Sequence, residues 1–247
     1  MTNFISPLAL DEQGDALRGQ ALIDRVRELS GDRILLSFSR GKDSIAAWLY
    51  LRPHFEIVPY YLDWIPGLTW VNESLAYYER WFGQHIIRLP HPLFWKYLNS
   101  FFFQTPERVA VIRAINFPAY DLADIDDILC RQLGNPAMYT AVGMRAADGI
   151  MRRNLMQQQG VLGTKRRRYF YPIWDWNIKQ VAEAILDAGI KLPVDYELWG
   201  RTAADFTYDF LAGVRDRFPA DWRRVLEWFP LADLELFRYE VVGQAQA

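Results

Sequence analysis

Short apolar runs alternate with stretches of helical spacing over most of the chain. Residues 15–29 place Ala16, Leu17, Leu22, Ile23, Val26 and Leu29 on one helical stripe, and Gly31 stops that helix. Ile34-Leu35-Leu36-Ser37-Phe38 has the length and unbroken apolar character of a buried parallel strand. A polar loop at 39–42 follows, and Asp43 and Ser44 are expected to cap a helix through Ile45, Ala46, Trp48, Leu49 and Leu51 that ends at Pro53. A second strand is expected at Glu56–Leu62, delivering Asp63 to its end. A helix from about Val71 to Phe82 is closed by Gly83, and a third strand covers Ile86–Leu89. This strand–helix alternation predicts an α/β fold: a parallel sheet flanked by helices in three layers, with ligands at the C-terminal ends of the strands.

Further along, the periodicity weakens. Residues 92–135 mix aromatic positions with an acidic stretch at Asp121, Asp124, Asp126 and Asp127, and read as helices covering the sheet. The acidic stretch is expected to be a solvated helix face, with a metal cluster as the alternative. Residues 138–144 read as a fourth strand ending in Gly143. Asn177 is expected to cap a helix from Ile178 to Ala188 that Gly189 terminates. The remainder, 200–247, carries Phe206, Phe210, Trp222, Leu226 and Trp228 on what reads as two amphipathic helices. The expected organisation is therefore an α/β domain over 1–199 and a helical extension over 200–247, packed on that domain or at a homodimer interface.

Composition narrows the function classes. Half of the 247 residues are apolar and 15% are aromatic, so disorder is not expected, and the ten tryptophans read as packing residues. The formal charge of −2 supplies no global attraction to nucleic acid, so any such contact needs a local basic patch. The single cysteine, Cys130, cannot form an internal disulfide, a four-cysteine zinc site or an iron–sulfur cluster, and it reads as a packed thiol. Residues 1–14 lack a basic, apolar leader pattern, and Ile45–Leu51 is far shorter than a membrane span. The expectation is a soluble cytoplasmic protein without membrane contact. His54, His85 and His91 have no metal-ligand spacing.

The chemistry concentrates in Ser37-Phe38-Ser39-Arg40-Gly41-Lys42-Asp43-Ser44. A loop from a buried strand into a helix N-terminus offers backbone N–H groups and the positive end of the helix dipole to an anion. Hydroxyls of Ser37, Ser39 and Ser44, the close approach allowed by Gly41, and the charges of Lys42 and Arg40 add to it. The spacing excludes a Walker loop, because Leu36 stands where glycine is needed and Asp43 where Ser or Thr is needed. No G-x-G-x-x-G occurs.

Ser39-Arg40-Gly41-Lys42-Asp43-Ser44 resembles the S-G-G-x-D-S loop of the PP-loop ATP pyrophosphatase and PAPS reductase-like superfamily, with Arg40 departing from the usual glycine. Three further segments fit in order. Tyr61-Leu62-Asp63 resembles the second-strand aspartate element, with Trp64-Ile65 in place of Thr-Gly. Gly143-Met144-Arg145 with Arg152 resembles G-x-R-x-x-x-S-x-x-R, and Tyr171–Asn177 resembles P-[IL]-x-D-W-[ST]. The resemblance spans about 30–200 and implies a site for ATP or a 3′-phosphoadenosine nucleotide formed by 37–44, Asp63, Gly143 and Arg145. It implies Mg²⁺, with Asp43 or Asp63 as partner, although helix capping explains Asp43 equally well. Lys42, Arg145 and Arg152 would stabilise charge on a leaving pyrophosphate, and Arg40 is expected to point toward solvent or the phosphates. Arg153 and the run Lys165, Arg166, Arg167 and Arg168 are candidate phosphate or nucleic-acid contacts, or simply a solvated loop. The superfamily's sulfonucleotide reductases carry a C-terminal catalytic cysteine, and no cysteine follows Cys130.

The reading this supports is ATP-dependent adenylyl transfer or ATP pyrophosphatase chemistry on an unidentified acceptor, in nucleotide or nucleic-acid modification. The alternative is a PAPS- or PAP-binding reductase-like protein without thiol chemistry, acting as a regulatory partner. Short, cysteine-poor relatives with S-R-G-K-D-S occur in phages and mobile elements, which would place this chain in a host cytoplasm.

Overall fold

The structure is a computed structural model that describes residues 10–163, 166–202 and 206–245, with side chains on the last helix described to Val242. In chain order the elements are α1 (Gly19–Ser30), β1 (Arg33–Ser37), α2 (Lys42–Leu51), β2 (Glu56–Asp63), α3 (Thr69–Phe82), β3 (Ile87–Pro90), α4 (Pro92–Asn99), α5 (Pro106–Ile115) and α6 (Leu122–Gln132). They continue with β4 (Thr140–Val142), a 3-10 turn at Ala146–Asp148, α7 (Ile150–Gln159), β5 (Leu162–Gly163), β6 (Tyr169–Phe170), α8 (Ile178–Asp187), α9 (Asp195–Trp199), α10 (Tyr208–Arg217), α11 (Pro219–Trp228) and α12 (Ala232–Ala245). The six strands form one mostly parallel sheet in the order β3-β2-β1-β4-β6-β5, with flanking helices, as the α/β alternation predicts. The tail carries three helices of ten residues or more where two were expected.

The register fixes the central strands. Arg33 to Ser37 pair in parallel with Glu56 to Tyr60, and Leu35, Leu36 and Ser37 pair with Thr140, Ala141 and Val142. β6 runs parallel to β4, and β5 closes the edge antiparallel to β6. β1 is buried through Ile34, Leu35 and Leu36, which is why it reads as an unbroken apolar run rather than an alternating one. Parallel pairing puts the C-terminal ends of β1, β4 and β6 side by side.

The chain forms two compact units, and their division differs from the expected boundary at 199/200. One unit comprises residues 10–61, 79–87 and 121–192; the other comprises 62–78, 88–120 and 193–245. In the first, Trp48 is 1% exposed and stacks on Phe82 with ring centroids 3.7 Å apart. α8 starts as its sequence predicts: the Asn177 side chain accepts from the Lys179 and Gln180 amides, and the Gln180 side chain accepts from the Asn177 amide. Only Val181 and Ile185 of its apolar stripe are buried, while Ile178 and Leu186 are exposed. In the second unit, Phe206 packs edge-on to Phe229 at 4.7 Å and Trp70 stacks on Phe218 at 4.6 Å. Asp221 accepts from both the Thr69 amide and its hydroxyl, tying α11 to the start of α3.

The first unit also contains a buried charge cluster. Asp126, 5% exposed, accepts from the Tyr60 hydroxyl at 2.8 Å and from Arg167 Nε at 2.6 Å, and Arg167 also donates to Tyr60 at 3.3 Å. Burial pushes the Asp126 carboxyl up while the guanidinium pulls it back. Removing one partner of a buried pair strands the other charge, so Arg167→Met is expected to cost about 3–5 kcal/mol in denaturant unfolding. Arg166, whose pair with Asp121 is exposed, is the control, and Arg166→Ala should leave the midpoint almost unmoved.

Candidate phosphate-binding site

β1 runs out at Ser37, and the next residue still belongs to the sheet. The Phe38 amide donates to the Tyr60 carbonyl at 2.9 Å, and its buried ring meets Trp48 edge-on at 5.1 Å. Phe38 therefore positions the loop and does not present its amide to an anion. The chain turns at Arg40, whose φ of +62° is the left-handed conformation that costs a residue with a Cβ about 1–2 kcal/mol. Of the two directions expected for Arg40, solvent or the phosphates, solvent is excluded. Arg40 is 1% exposed, with its guanidinium carbon 5.5 Å from the centroid of the Tyr61 ring. The side chain is thus buried within the turn.

Two hydroxyls brace the loop from within. Ser44 Oγ donates to the Gly41 carbonyl at 2.9 Å and accepts from the Ser39 hydroxyl at 3.1 Å and the Ser39 amide at 3.2 Å. Ser39 Oγ accepts in turn from the Gly41 amide at 3.3 Å. Both hydroxyl protons are used inside the loop, so Ser39 and Ser44 shape the site rather than offering donors to a ligand. The capping expectation is also corrected: Gly41 is the N-cap of α2, with no side-chain cap, and Asp43 lies in the first turn. Helical bonding begins with the Ile45 amide on the Gly41 carbonyl, so the amides of residues 42–44 have no partner within the helix.

The end of β4 lies against this helix start. A Cβ on Gly143 would sit 2.6 Å from the Ser44 nitrogen and 2.7 Å from the Asp43 carbonyl carbon and oxygen, so only glycine allows the approach. Two residues on, Arg145 is 3% exposed and donates from Nε to Asp43 Oδ1 at 2.7 Å and from Nη1 to the Trp176 carbonyl at 3.4 Å. Its Nη2 pairs with Asp148, which also takes Arg152 Nη1 at 2.6 Å. The other Asp43 oxygen holds Lys42 Nζ at 2.8 Å. The Ala146 amide donates to the Trp174 carbonyl at 2.8 Å. Three segments distant in sequence, 39–44, 143–152 and 174–176, therefore meet at the C-terminal ends of the central strands. Their charged side chains form a continuous chain, Lys42–Asp43–Arg145–Asp148–Arg152.

The remaining candidates fall elsewhere. Ser37 pairs in register with Tyr60 and Val142. Asp63, in the second unit, has both carboxylate oxygens on Arg88, at 2.6 and 3.0 Å. Asp43 likewise has both oxygens on cations, and no group of three metal-ligating side chains occurs among the described residues. Both aspartates are thus held by cations of this chain. Arg153 is exposed on α7, and Lys165 lies outside the described residues. The arginines of the basic run are consumed by the acidic stretch of α6: Arg166 pairs with Asp121 and Asp124, Arg167 with Asp126, and Arg168 with Asp127. The basic run and the acidic stretch thus meet in one intramolecular charge interface. Asp148, which lies inside the Gly143–Arg152 segment, and the Trp176 carbonyl were not among the expected site groups; their signal was their position in the arginine and tryptophan motifs.

Cys130 is buried, and burial pushes its thiol up to about 11, so it is not a thiolate nucleophile at neutral pH. His85 pairs with Glu79 at 2.7 Å. His91 caps α4, its Nδ1 accepting from the Leu93 amide at 3.1 Å, and burial lowers it from 6.5 to about 4.

The chain matches no family model and no curated protein. The site therefore rests on its own geometry.

These contacts make two tests possible. In Gly143→Ala the new methyl meets backbone that cannot step aside, so α2 or β4 must shift; thermal unfolding should show a loss of about 1–3 kcal/mol. For His91, the depressed native value means that its contribution is complete above pH 6.5 and is lost as pH falls toward about 4. Urea midpoints at neutral pH and near pH 4.5 should fall further for the wild type than for His91→Asn, which keeps a capping acceptor that does not titrate, by on the order of 2 kcal/mol.

Proposed function

We propose that the chain binds the phosphates of an adenine nucleotide at the start of α2 and carries out adenylyl transfer or ATP pyrophosphatase chemistry on an acceptor. The observation that supports this most is the meeting of the loop, Gly143–Arg145 and Trp174–Trp176 at the ends of parallel strands. Ligands of open α/β sheets gather there, and the first-turn amides and helix dipole favour an anion. Lys42 is about a quarter exposed and rests on Asp43, so its flexible stem can carry the ammonium to a phosphate. Arg145 cannot do the same without leaving Asp43, Asp148 and the Trp176 carbonyl, so its part is to hold Asp43 and the helix start in place.

In this reaction an acceptor oxygen attacks the α-phosphorus of ATP, the bond to the bridging oxygen breaks, pyrophosphate leaves, and the acceptor proton passes to water. Charge grows on the departing pyrophosphate, where Lys42 and the loop amides stabilise it more in the transition state than in the ground state. Mg²⁺ on the phosphates would add to this stabilisation, with Asp43 or Asp63 as its partner directly or through water.

Titration calorimetry tests the reading. ATP should bind the wild-type protein, and Lys42→Ala should weaken it at least about tenfold, roughly 1.4 kcal/mol. Equal ATP affinity in the two proteins, or none in the wild type, would sink it. Tighter binding of 3′-phosphoadenosine 5′-phosphate than of ATP, without pyrophosphate release, would replace adenylyl transfer by the reductase-like binding role.

A further inference from the structure

We propose that α12 joins a second copy of this chain through a parallel two-helix seam. The helix buries one face, through Ala232 at 0% and Leu236 at 1% exposure. On the opposite face Leu234, Phe237 and Val241 are 58, 63 and 48% exposed. Spacings of three and then four residues place them at successive seam positions of a heptad repeat, the pattern by which one helix packs on another. A solvated face would carry charge there, and these three positions carry none.

The flanking charges select the occupant and its direction. Asp233 lies on one flank of the stripe and Arg238, five residues later, on the other; both are exposed. In a parallel pair each flank faces the opposite flank of its partner, offset by five residues, so Asp233 of one copy meets Arg238 of the other. In an antiparallel pair like flanks meet, which sets Arg238 against Arg238 and acid against acid. Glu240, on the Asp233 flank, is engaged by Arg215 of its own chain at 2.8 Å. Arg238 rests on Glu235 in its own helix at 2.7 Å, with its side chain 58% exposed, so it can exchange that partner for Asp233 of a second copy. The sequence is thus complementary to itself in one orientation only. With three seam positions per copy the interface is small, and the association is concentration-dependent.

Sedimentation equilibrium of the full chain over a dilution series tests this. A reversible monomer–dimer equilibrium is expected, and Phe237→Glu should abolish it with an unchanged circular-dichroism melt. Asp233→Arg should weaken association at least about tenfold, and adding Arg238→Glu should restore it to within about threefold of the wild type. Orientation is read by oxidation, because Cys130 is buried and leaves an introduced thiol as the reactive one. Leu234→Cys and Val241→Cys should each form a disulfide with its own copy. A wild type that stays monomeric at every concentration overturns the proposal, as does a charge swap that fails to restore association. Crosslinking only between Leu234→Cys and Val241→Cys mixed together overturns the parallel arrangement.

Discussion

The contact on which the rest of the site depends is backbone on backbone: the end of β4 at Gly143 against the first turn of α2. Register brings it about. Ser37 and Val142 are partners in adjacent parallel strands, so the two chain segments leaving these strands emerge side by side at the same end. β1 leads into a tight left-handed turn at Arg40 and an immediate helix start, and the segment leaving β4 must pass within van der Waals distance of that start. Without a Cβ at 143 the two strand ends can close up, and only then does Arg145 reach Asp43. The Arg145–Asp43 pair and, through it, the Trp176 carbonyl contact presuppose that approach.

Charge at Arg145, Arg167 and Arg88 follows a second constraint, that a guanidinium drawn out of water is matched by a carboxylate within hydrogen-bonding reach. Taking a guanidinium out of water costs several kcal/mol unless a carboxylate and further acceptors compensate it. Arg145 meets this with Asp43, Asp148 and a carbonyl; Arg167 meets it with Asp126 and the Tyr60 hydroxyl; Arg88, less deeply placed, takes both oxygens of Asp63. A large share of the residues that draw attention as candidate ligands is absorbed in this way. The acidic stretch of α6 and the basic run at 166–168 neutralise each other, which fits a chain whose formal charge is only −2.

The sheet was legible because buried parallel strands leave an unambiguous trace: Ile34–Phe38 is almost wholly apolar, and Gly31, Pro53, Gly83 and Asn177 mark boundaries for local backbone reasons. The loop was legible for the same reason, since a strand running directly into a helix through Ser, Gly and Lys has few alternative structures. Partner choice was not. Nothing in the spacing of Asp126 and Arg167, 41 residues apart, announces that they share a buried cluster with Tyr60. Nor did Arg40 signal its burial, because an arginine in a polar loop is ordinarily solvated, whereas here it is enclosed beside the Tyr61 ring. The grouping of 62–78 and 88–120 with the tail was equally hidden, being a matter of long-range aromatic packing among residues such as Phe94, Phe206 and Phe229.

Asp43 is where the backbone contact and the charge rule meet. It sits in the first turn of α2, where the helix dipole favours a negative charge, and it holds Lys42 on one oxygen and Arg145 on the other. Without that carboxylate, Lys42 and the helix N-terminus would face Arg145 with only Asp148 to compensate it, and the turn at Arg40 already carries a conformational cost. Asp43 therefore keeps the loop assembled by supplying, from within the chain, the kind of negative charge that a nucleotide phosphate would bring. The two cations differ in what they can then do. Arg145 is fixed by three partners and almost without exposure, so it remains with Asp43; Lys42 is partly exposed on a flexible stem, so it is the group able to leave. The same carboxylate that stabilises the loop thus sets which cation is structural and which can move to a ligand.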